Sequence, residues 1–367
     1  MTVPFLDLKA QHAEVADEIA QSFARIMANT AFIMGPDCAE FEVEFARFCG
    51  VKHCVGVANG TDALEVMLLA AGVGPGHEVI LPANTFIATA QAVHRAGARP
   101  VLVDVDETHA LMDPAQTESR ITSKTRALLP VHLYGQTAKM EQFQALAKKH
   151  GLLLFEDAAQ AQGATRQGQG IGTFGVAAGT SFYPGKNLGC YGDGGAVLTN
   201  DPEVARKAGW IRNCGSDRKY NHPVMGFNSR LDTLQAAVLR AKLKRLNDWN
   251  EARRKAAARY QQLLVGLPQV KLPGTLEGNV HVWHLFIVRV ANRDKVLARL
   301  GELGVGAGIH YPTPVHLHDS FKFLGHKRGD FPVSEQLAAE ILSLPMFPHI
   351  TAAQQEETVA ALRKALE

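Results

Sequence analysis

The sequence lacks a strong charge of either sign, and this excludes several classes of partner. Among its 367 residues, 38 lysines and arginines face 36 aspartates and glutamates, a net charge of +2. Such a balanced chain has no electrostatic basis for binding nucleic acid or an anionic membrane. Its apolar runs are shorter than the ~20 residues that a membrane-spanning helix needs. The amino-terminal stretch MTVPFLDLKAQH has no basic segment followed by an apolar one, so we expect no secretory signal.

Cysteine is also scarce, and its spacing matches neither a disulfide framework nor a zinc site. The number is odd and no C-x-x-C pair occurs among the five, which are Cys38, Cys49, Cys54, Cys190 and Cys214. We therefore expect reduced thiols and a cytoplasmic location. Four histidines cluster late in the chain without a zinc-like spacing, so no metal is expected; they are His310, His316, His318 and His326.

What is present is an alternation of apolar strands and helices. Apolar residues make up 46% of the chain and charged residues 20%, an ordinary globular composition. The predicted strands are Cys54–Ala58, Glu78–Leu81, Pro100–Val103, Thr125–Val131 and Leu152–Phe155. The helices between them are Asp62–Ala71, Ile87–Ala96 and Lys139–His150. This rhythm predicts an α/β fold with a mostly parallel sheet flanked by helices, in which ligands bind beyond the carboxyl ends of the strands.

The two ends of the chain have a different pattern. Helices are predicted at 12–28 and from Pro36 to about Phe48, and again at 202–212 and 230–265, the last with a break near Asn247–Asn250. Prolines and glycines at 268–278 mark a change in composition. A strand at Val282–Val290 and helices at 293–303, 333–342 and 351–366 follow. We predict a large α/β domain with amino-terminal helices over residues 1–245 and a smaller α+β domain over 246–367.

A lysine lies in a tight turn between two apolar segments. Lys186 belongs to the stretch SFYPGKNLG, which joins the segments Gly175–Phe182 and Gly192–Leu198. A solvated turn lysine is the ordinary interpretation. A phosphate-binding nucleotide loop is excluded, because five residues rather than four separate Gly179 from Gly185 and Asn187 replaces the Ser or Thr. A third interpretation is a Schiff-base lysine, since a desolvated amine has a lowered pKa and attacks an aldehyde near neutral pH.

Polar residues at the ends of the predicted strands complete a candidate site. Asp157 ends an apolar strand and is either a helix cap or a carboxylate that keeps a pyridine nitrogen protonated. Gln160 follows it. The segment Asn59-Gly60-Thr61-Asp62 joins a strand to a helix, where free N–H groups favour an anion, although Thr61 could simply cap the helix. Ser181 and Phe86 lie in neighbouring loops.

A glycine motif at 170–175 is discounted. Its letters, GIGTFG, match G-x-G-x-x-G. A strand rather than a helix is predicted to follow, so the context of a dinucleotide site is absent.

Together these residues resemble the pyridoxal-phosphate site of fold type I (aspartate aminotransferase-like) enzymes, and more closely the DegT/DnrJ/StrS family of sugar aminotransferases. The resemblance extends from PFLDL at 4–8 to HYP at 310–312, with SFYPGKNLGCYGDGGA at 181–196 as its most specific part. It implies that Lys186 forms a Schiff base and later moves the proton. It also implies that Asp157 pairs with the ring nitrogen and Gln160 with the ring oxygen. It further implies stacking by Phe86 and a phosphate held by Gly60, Thr61, Ser181 and, from the partner subunit of a homodimer, Asn228.

The resemblance also implies a substrate. Tyr183, where enzymes that aminate C4 carry His, resembles enzymes that aminate C3 of dTDP-3-keto-6-deoxyhexoses, with glutamate as the donor. A group acting on UDP-sugar acids shares Cys190-Tyr191 with this chain but has Phe for Tyr183 and Pro for Asn187. Nucleotide-sugar contacts are implied for Lys219, Tyr220, His310 and Tyr311. The alternatives are a UDP-sugar or C4 aminotransferase, a sugar dehydratase, which in this family has His for the lysine, a non-catalytic regulator, and a nucleotide-sugar binding module without cofactor.

Overall fold

Residues 2–367 are described in a computed structural model of the chain. The strands are β1 His53–Val57, β2 Glu78–Pro82, β3 Arg99–Val103, β4 Thr125–Leu128, β5 Leu153–Asp157, β6 Thr165–Arg166, β7 Gln169–Gly170, β8 Ala177–Ser181, β9 Gly195–Thr199, β10 Asn279–Val280, β11 Phe286–Arg289 and β12 Ile341–Leu344.

The helices precede, alternate with and follow these strands. They are α1 Leu8–Ala13, α2 Ala16–Asn29, α3 Pro36–Cys49, α4 Gly60–Ala70, α5 Ile87–Arg95, α6 Pro114–Glu118, α7 Met140–His150, α8 Pro202–Ile211, α9 Thr233–Leu243, α10 Leu246–Leu263, α11 Arg293–Glu302, α12 Pro332–Glu340 and α13 Ala352–Ala365. Short 3-10 helices cover Leu133–Gly135, Val315–Leu317 and Asp319–Leu324.

A seven-stranded sheet forms the centre of the fold. Its order is β1-β9-β8-β5-β4-β2-β3, and β9 runs in the direction opposite to the other six strands. The predicted α/β fold with a mostly parallel sheet flanked by helices is therefore confirmed. Because all strands but β9 point the same way, the loops after β1, β2, β5 and β8 meet at one edge.

Aromatic packing supports the turn that carries Lys186. Phe41 and Phe45 of α3 are fully buried with ring centroids 5.5 Å apart. The ring of Phe182 packs edge-on against both at 5.3 Å. Since Phe182 directly follows β8, this cluster anchors the chain just before it enters the turn, so the turn's position is set by the core.

Two predicted strands are shorter in the structure, for physical reasons. The strand predicted to reach Val131 ends at Leu128, because Pro130 has no N–H to donate to a neighbour. The strand predicted from Val282 begins at Phe286. Before it, Val282 and Leu285 donate their N–H groups to the carbonyls of Gly135 and Tyr134, so this segment is bonded to the 3-10 helix Leu133–Gly135 instead of pairing as a strand.

Two predicted helix limits are also wrong. The break in the long helix falls at Lys244–Arg245, before the predicted Asn247–Asn250. The helix predicted over 333–342 ends at Glu340, and its last two positions belong to β12. There, Ile341 pairs with Arg289 of β11 in an antiparallel two-stranded sheet, and its side chain is buried.

The carboxyl-terminal part packs around its own apolar cluster, formed by α10, α11, α13 and the sheet of β11 and β12. Val3 from the amino terminus joins this cluster and bridges to Val305. The division into domains at 245/246 stays a prediction. Among residues 2–367, no helix is both long and apolar enough to cross a membrane.

Candidate active site

A large cavity lies at the carboxyl ends of β5 and β8. Its volume is about 770 Å³. Ten of the thirteen predicted site residues line it: Gly60, Thr61, Phe86, Asp157, Gln160, Ser181, Tyr183, Lys186, His310 and Tyr311. Residues from both predicted domains thus meet at the place that the sheet topology indicates for a ligand.

Lys186 projects its amine into this cavity from the turn after β8. Its backbone N–H donates to the Tyr183 carbonyl at 2.8 Å, which closes the turn. The Nζ atom makes no hydrogen bond or ion pair to residues 2–367. Burial lowers the pKa of Lys186 to about 8, and the charge of Asp157 opposes this shift. A fraction of the amine is therefore unprotonated near neutral pH, as a nucleophile or proton acceptor requires.

A second lysine with a similar pKa shows why the geometry matters. Burial also lowers the pKa of Lys242 to about 8. Its Nζ donates to the Gly189 carbonyl at 2.7 Å and lies 4.5 Å from the centre of the Tyr191 ring. Lys242 does not line the cavity. The pKa alone does not separate the two lysines, but the position of the amine does.

The lowered pKa of Lys186 predicts a pH-dependent stability of the cofactor-free protein. In the unfolded chain lysine has a pKa of ~10.4, whereas in the folded chain Lys186 has a pKa of about 8. Between these values the unfolded state binds more protons, so the free energy of unfolding contributed by this group rises with pH. We expect the free energy of unfolding, measured with urea, to increase more between pH 7.5 and pH 10 for the wild type than for Lys186→Met.

The exposed Lys148→Met variant serves as the matched control, because its pH response should equal that of the wild type. An identical pH response of Lys186→Met and the wild type would contradict the lowered pKa.

Asp157 places its carboxylate at the end of β5, inside the cavity. Its Oδ2 accepts from the Thr89 hydroxyl at 2.7 Å, and its Oδ1 from the Ala159 N–H at 3.1 Å. Burial raises the pKa of Asp157, while these hydrogen bonds and Lys186 oppose the rise. The carboxylate is thus oriented, only 5% exposed and without an ion-pair partner among residues 2–367, which suits it to meet a cationic N–H of a ligand.

The adjacent Glu156 faces the other side of the sheet, because side chains alternate along a strand. Its carboxylate accepts from His132 Nε2 at 3.0 Å and from the N–H groups of Gly172 and Phe174. Two backbone N–H groups of the motif at 170–175 therefore donate to this buried carboxylate. The element that follows the motif is strand β8, not a helix.

The amino end of α4 forms a pocket suited to an anion. The Asn59 side chain caps the helix by accepting from the Asp62 N–H at 2.9 Å. Gly60 approaches Ser181 so closely that an added Cβ would lie 2.5 Å from the Ser181 Cβ. The absence of a side chain leaves the backbone N–H groups of the helix terminus, the Thr61 side chain and the Ser181 hydroxyl around one small space.

Aromatic side chains form another wall of the cavity. Phe86 is 51% exposed although it lies at the amino end of α5, and its ring centre is 5.2 Å from that of Tyr311. Gln160 donates from Nε2 to the Tyr311 hydroxyl at 3.0 Å, and its Oε1 accepts from the Tyr134 N–H. The Gln160 amide is thus held by residues on both sides, with its donor group directed toward the Tyr311 hydroxyl.

Three predicted residues lie outside the cavity of this chain. Lys219 and Tyr220 are on an exposed loop, where Tyr220 is 86% exposed. Asn228 is exposed, and its backbone bridges to Asn213. The predicted role of Asn228 in the site of a partner subunit requires a second chain and stays a prediction.

Sequence reasoning missed several residues that line or orient the site. Thr89 holds Asp157, and Arg95, Asp193 and His284 line the cavity. A histidine within the apolar segment 282–290 was the one available signal for His284. The others lie on helices or loops whose direction is set only by packing.

The features of the cavity fit pyridoxal phosphate. The free amine of Lys186 suits the aldehyde of this cofactor, and the buried carboxylate of Asp157 suits its ring nitrogen. The half-exposed Phe86 can pack on the face of the ring, and the amino terminus of α4 can bind the phosphate.

Such a site at the edge of a mostly parallel sheet is that of an aminotransferase-like enzyme, and comparison with known proteins agrees. The family model for the DegT/DnrJ/EryC1/StrS aminotransferases matches residues 13–363. The chain belongs to this family. The predicted family, the fold type and the aminotransferase class of enzyme are thereby confirmed.

Individual relatives match over nearly the full length. The erythromycin biosynthesis sensory transduction protein EryC1 of Saccharopolyspora erythraea is 49% identical over 99% of both chains. The dTDP-3-amino-3,4,6-trideoxy-α-D-glucose transaminase of Streptomyces venezuelae is 47% identical over 100% of this chain and 96% of its own. The crystal structure of DesV from S. venezuelae in complex with a ketimine intermediate superposes with a TM-score of 0.97 at 47% identity, covering 100% of this chain and 98% of DesV.

Proposed function

We propose that the protein is a pyridoxal-phosphate-dependent aminotransferase that moves an amino group from glutamate to the C3 keto group of a dTDP-linked 3-keto-6-deoxyhexose. The observation that carries this proposal is the meeting of Lys186, Asp157 and the anion pocket of α4 in one cavity. A transaminase named for a dTDP-3-amino sugar, 47% identical over the whole chain, supports the substrate class.

Each residue of the cavity has a chemical task in this reaction. The bound cofactor supplies an electron sink for the carbon that loses a proton. Lys186 would hold the cofactor's aldehyde through its amine, and its Nζ would take and return the proton. Asp157 accepts from the ring N–H and keeps that nitrogen protonated. Gly60 and Ser181 hold the phosphate, and Phe86 excludes water from one ring face.

The position of Cys190 and Tyr191 removes the sequence argument for UDP as the nucleotide. These two residues are the features shared with enzymes of UDP-sugar acids. Cys190 is buried and its Sγ contacts the Phe182 and Gly192 carbonyls, while the Tyr191 hydroxyl bonds His12 Nδ1 at 2.6 Å. Neither lines the cavity. Tyr183, which does line it, is the position that points to C3 amination of dTDP-sugars.

The alternatives fit the site less well. A dehydratase of this family has histidine in place of Lys186. The relative from S. erythraea is named a sensory transduction protein. A regulator without catalysis has no use for an amine with a pKa of about 8 that faces the cavity beside Asp157. A nucleotide-sugar binding module without cofactor leaves the same two groups without a task.

A homodimer in the cytoplasm completes the proposal. Met225, three residues before Asn228 in the chain, is 92% exposed, so an apolar side chain is available to a partner near the residue expected to reach that partner's phosphate. Four of the five cysteines are buried and all five are free, in keeping with a reducing compartment.

The test is amine transfer from glutamate to a panel of 3-keto and 4-keto sugars linked to dTDP or UDP, with mass spectrometry of the sugar. We expect gain of an amine at C3 of the dTDP-3-keto-6-deoxyhexose, with turnover at least ~10-fold above that of the other sugars. Loss of a hydroxyl would indicate a dehydratase. A protein that stays colourless with added pyridoxal phosphate would contradict every proposal that includes the cofactor.

A further inference from the structure

The side chain that follows Lys186 belongs to a buried network of amides. Asn187 is 1% exposed. Its Nδ2 donates to Asn250 Oδ1 at 2.8 Å and to the Val282 carbonyl at 2.9 Å. The Nδ2 of Asn250 in turn donates to the Gln162 carbonyl at 2.9 Å. Because carbonyl oxygens only accept, both amides have one possible orientation, and Asn187 Oδ1 is left as an acceptor.

That acceptor determines the tautomer of His284. Asn187 Oδ1 lies 3.1 Å from His284 Nδ1. Since Oδ1 has no proton to give, Nδ1 must carry the hydrogen. Burial, with the nearby charge of Lys186, lowers the pKa of His284 well below its usual range, so the ring is neutral. Its Nε2 is therefore an unprotonated acceptor.

This acceptor faces the cavity beside Lys186. His284 lines the cavity, and its Nε2 makes no hydrogen bond to residues 2–367 and is not among the buried unpaired atoms. Its Nδ1 is bound to the residue next to Lys186, so the ring lies near the reacting end of the site. His310, the other imidazole of the cavity, has its Nδ1 2.9 Å from the Ser343 hydroxyl.

We infer that His284 Nε2 accepts a hydrogen bond from a substrate hydroxyl next to the reacting carbon, and that Asn187 is the positioning residue that keeps this nitrogen unprotonated. The inference rests on the proposed function, because it takes the ligand to be a keto-sugar. The inference assigns recognition of the sugar to His284, in the segment that precedes β11. An unprotonated ring nitrogen can accept a hydrogen bond only from a group that carries a hydrogen, such as a sugar hydroxyl.

Binding measurements on the cofactor-loaded enzyme test this assignment. The probes are dTDP and a dTDP-linked 3-amino-6-deoxyhexose, titrated by calorimetry. His284→Phe removes the acceptor at similar size, and we expect it to lower the preference for the sugar-bearing ligand over dTDP by about 10-fold. His284→Gln, which offers an oxygen near the place of Nε2, should recover most of this preference. His53→Phe is the matched control, because His53 is a half-buried histidine at the amino end of β1, away from the carboxyl ends of the strands where the cavity lies.

Two further outcomes decide the inference. Either the 2-deoxy or the 4-deoxy sugar should bind wild type and His284→Phe equally, because it lacks the recognised hydroxyl. In cofactor-free protein, nitrogen NMR of the ring should find the proton on Nδ1. A proton on Nε2, an unchanged ligand preference in His284→Phe, or equal losses with both deoxy sugars would overturn the inference. The glutamate step contains no sugar, so its failure would count against the proposed function instead.

Discussion

Replacing Lys186 with alanine is expected to lower the rate of amine transfer by at least about 10⁴-fold. The variant loses both the amine that binds the aldehyde and the group that moves the proton, and proton transfer alone contributes up to ~10⁴-fold. Among residues 2–367 no other lysine lines the cavity, and the amine of the buried Lys242 is held by the Gly189 carbonyl. Single-turnover measurements with glutamate, followed by the visible absorption band, check the rate.

Borohydride reduction gives a second, activity-independent measurement. In the wild type it should leave the cofactor attached to the peptide that contains Lys186, whereas the alanine variant should release all of it on denaturation. Lys148→Ala, at an exposed position of α7, is the control and should behave as the wild type. Cofactor attached to another peptide, or activity within 10-fold of the wild type, would refute the role of Lys186.

Replacing Asp157 with asparagine is expected to lower the rate by about 10³-fold, since one preorganised electrostatic contact contributes on the order of 10²–10³. An amide cannot keep the ring nitrogen protonated. The stability of the cofactor-free protein should not fall, because Asp157 is a buried carboxylate whose pKa is raised by burial. Asparagine removes that charge and still offers an oxygen to the Ala159 N–H, and the Thr89 hydroxyl can reverse its hydrogen bond.

Thermal unfolding and steady-state rates of the same preparations separate these two effects. The expected combination is an unchanged or raised melting temperature with a collapsed rate. Asp113→Ala, which removes the side-chain cap of α6 and does not line the cavity, is the control and should lose stability rather than rate. A rate for Asp157→Asn above about a tenth of the wild type would show that the carboxylate does not act on the ring.

Residues tied to a recognisable local pattern were predictable. Asp157 ends an apolar strand, Gly60 and Thr61 begin a helix after a strand, and Lys186 lies in a turn between two buried strands. In a parallel sheet such positions meet at one edge. The local pattern therefore already implied proximity, and all of these residues line the same cavity.

Residues whose task depends on a distant partner were not predictable. His284 lies in a segment whose apolar pattern predicted a strand, and its usefulness comes from Asn187, 97 positions away. Thr89 acts on Asp157 across 68 positions. Hydrogen bonds of this kind leave no periodic trace in the sequence, because they are made by side chains whose approach depends on how whole elements pack.

The order of the apolar segments by itself determined the α/β sheet, the edge at which a ligand binds and the two charged groups that meet there, because backbone hydrogen bonding and apolar periodicity act over short stretches. Only the tertiary structure decided that Lys186 rather than Lys242 presents a free amine to the cavity, and that His284 presents an unprotonated Nε2. The physical reason is that protonation and hydrogen-bond direction depend on burial and on neighbours brought from far along the chain.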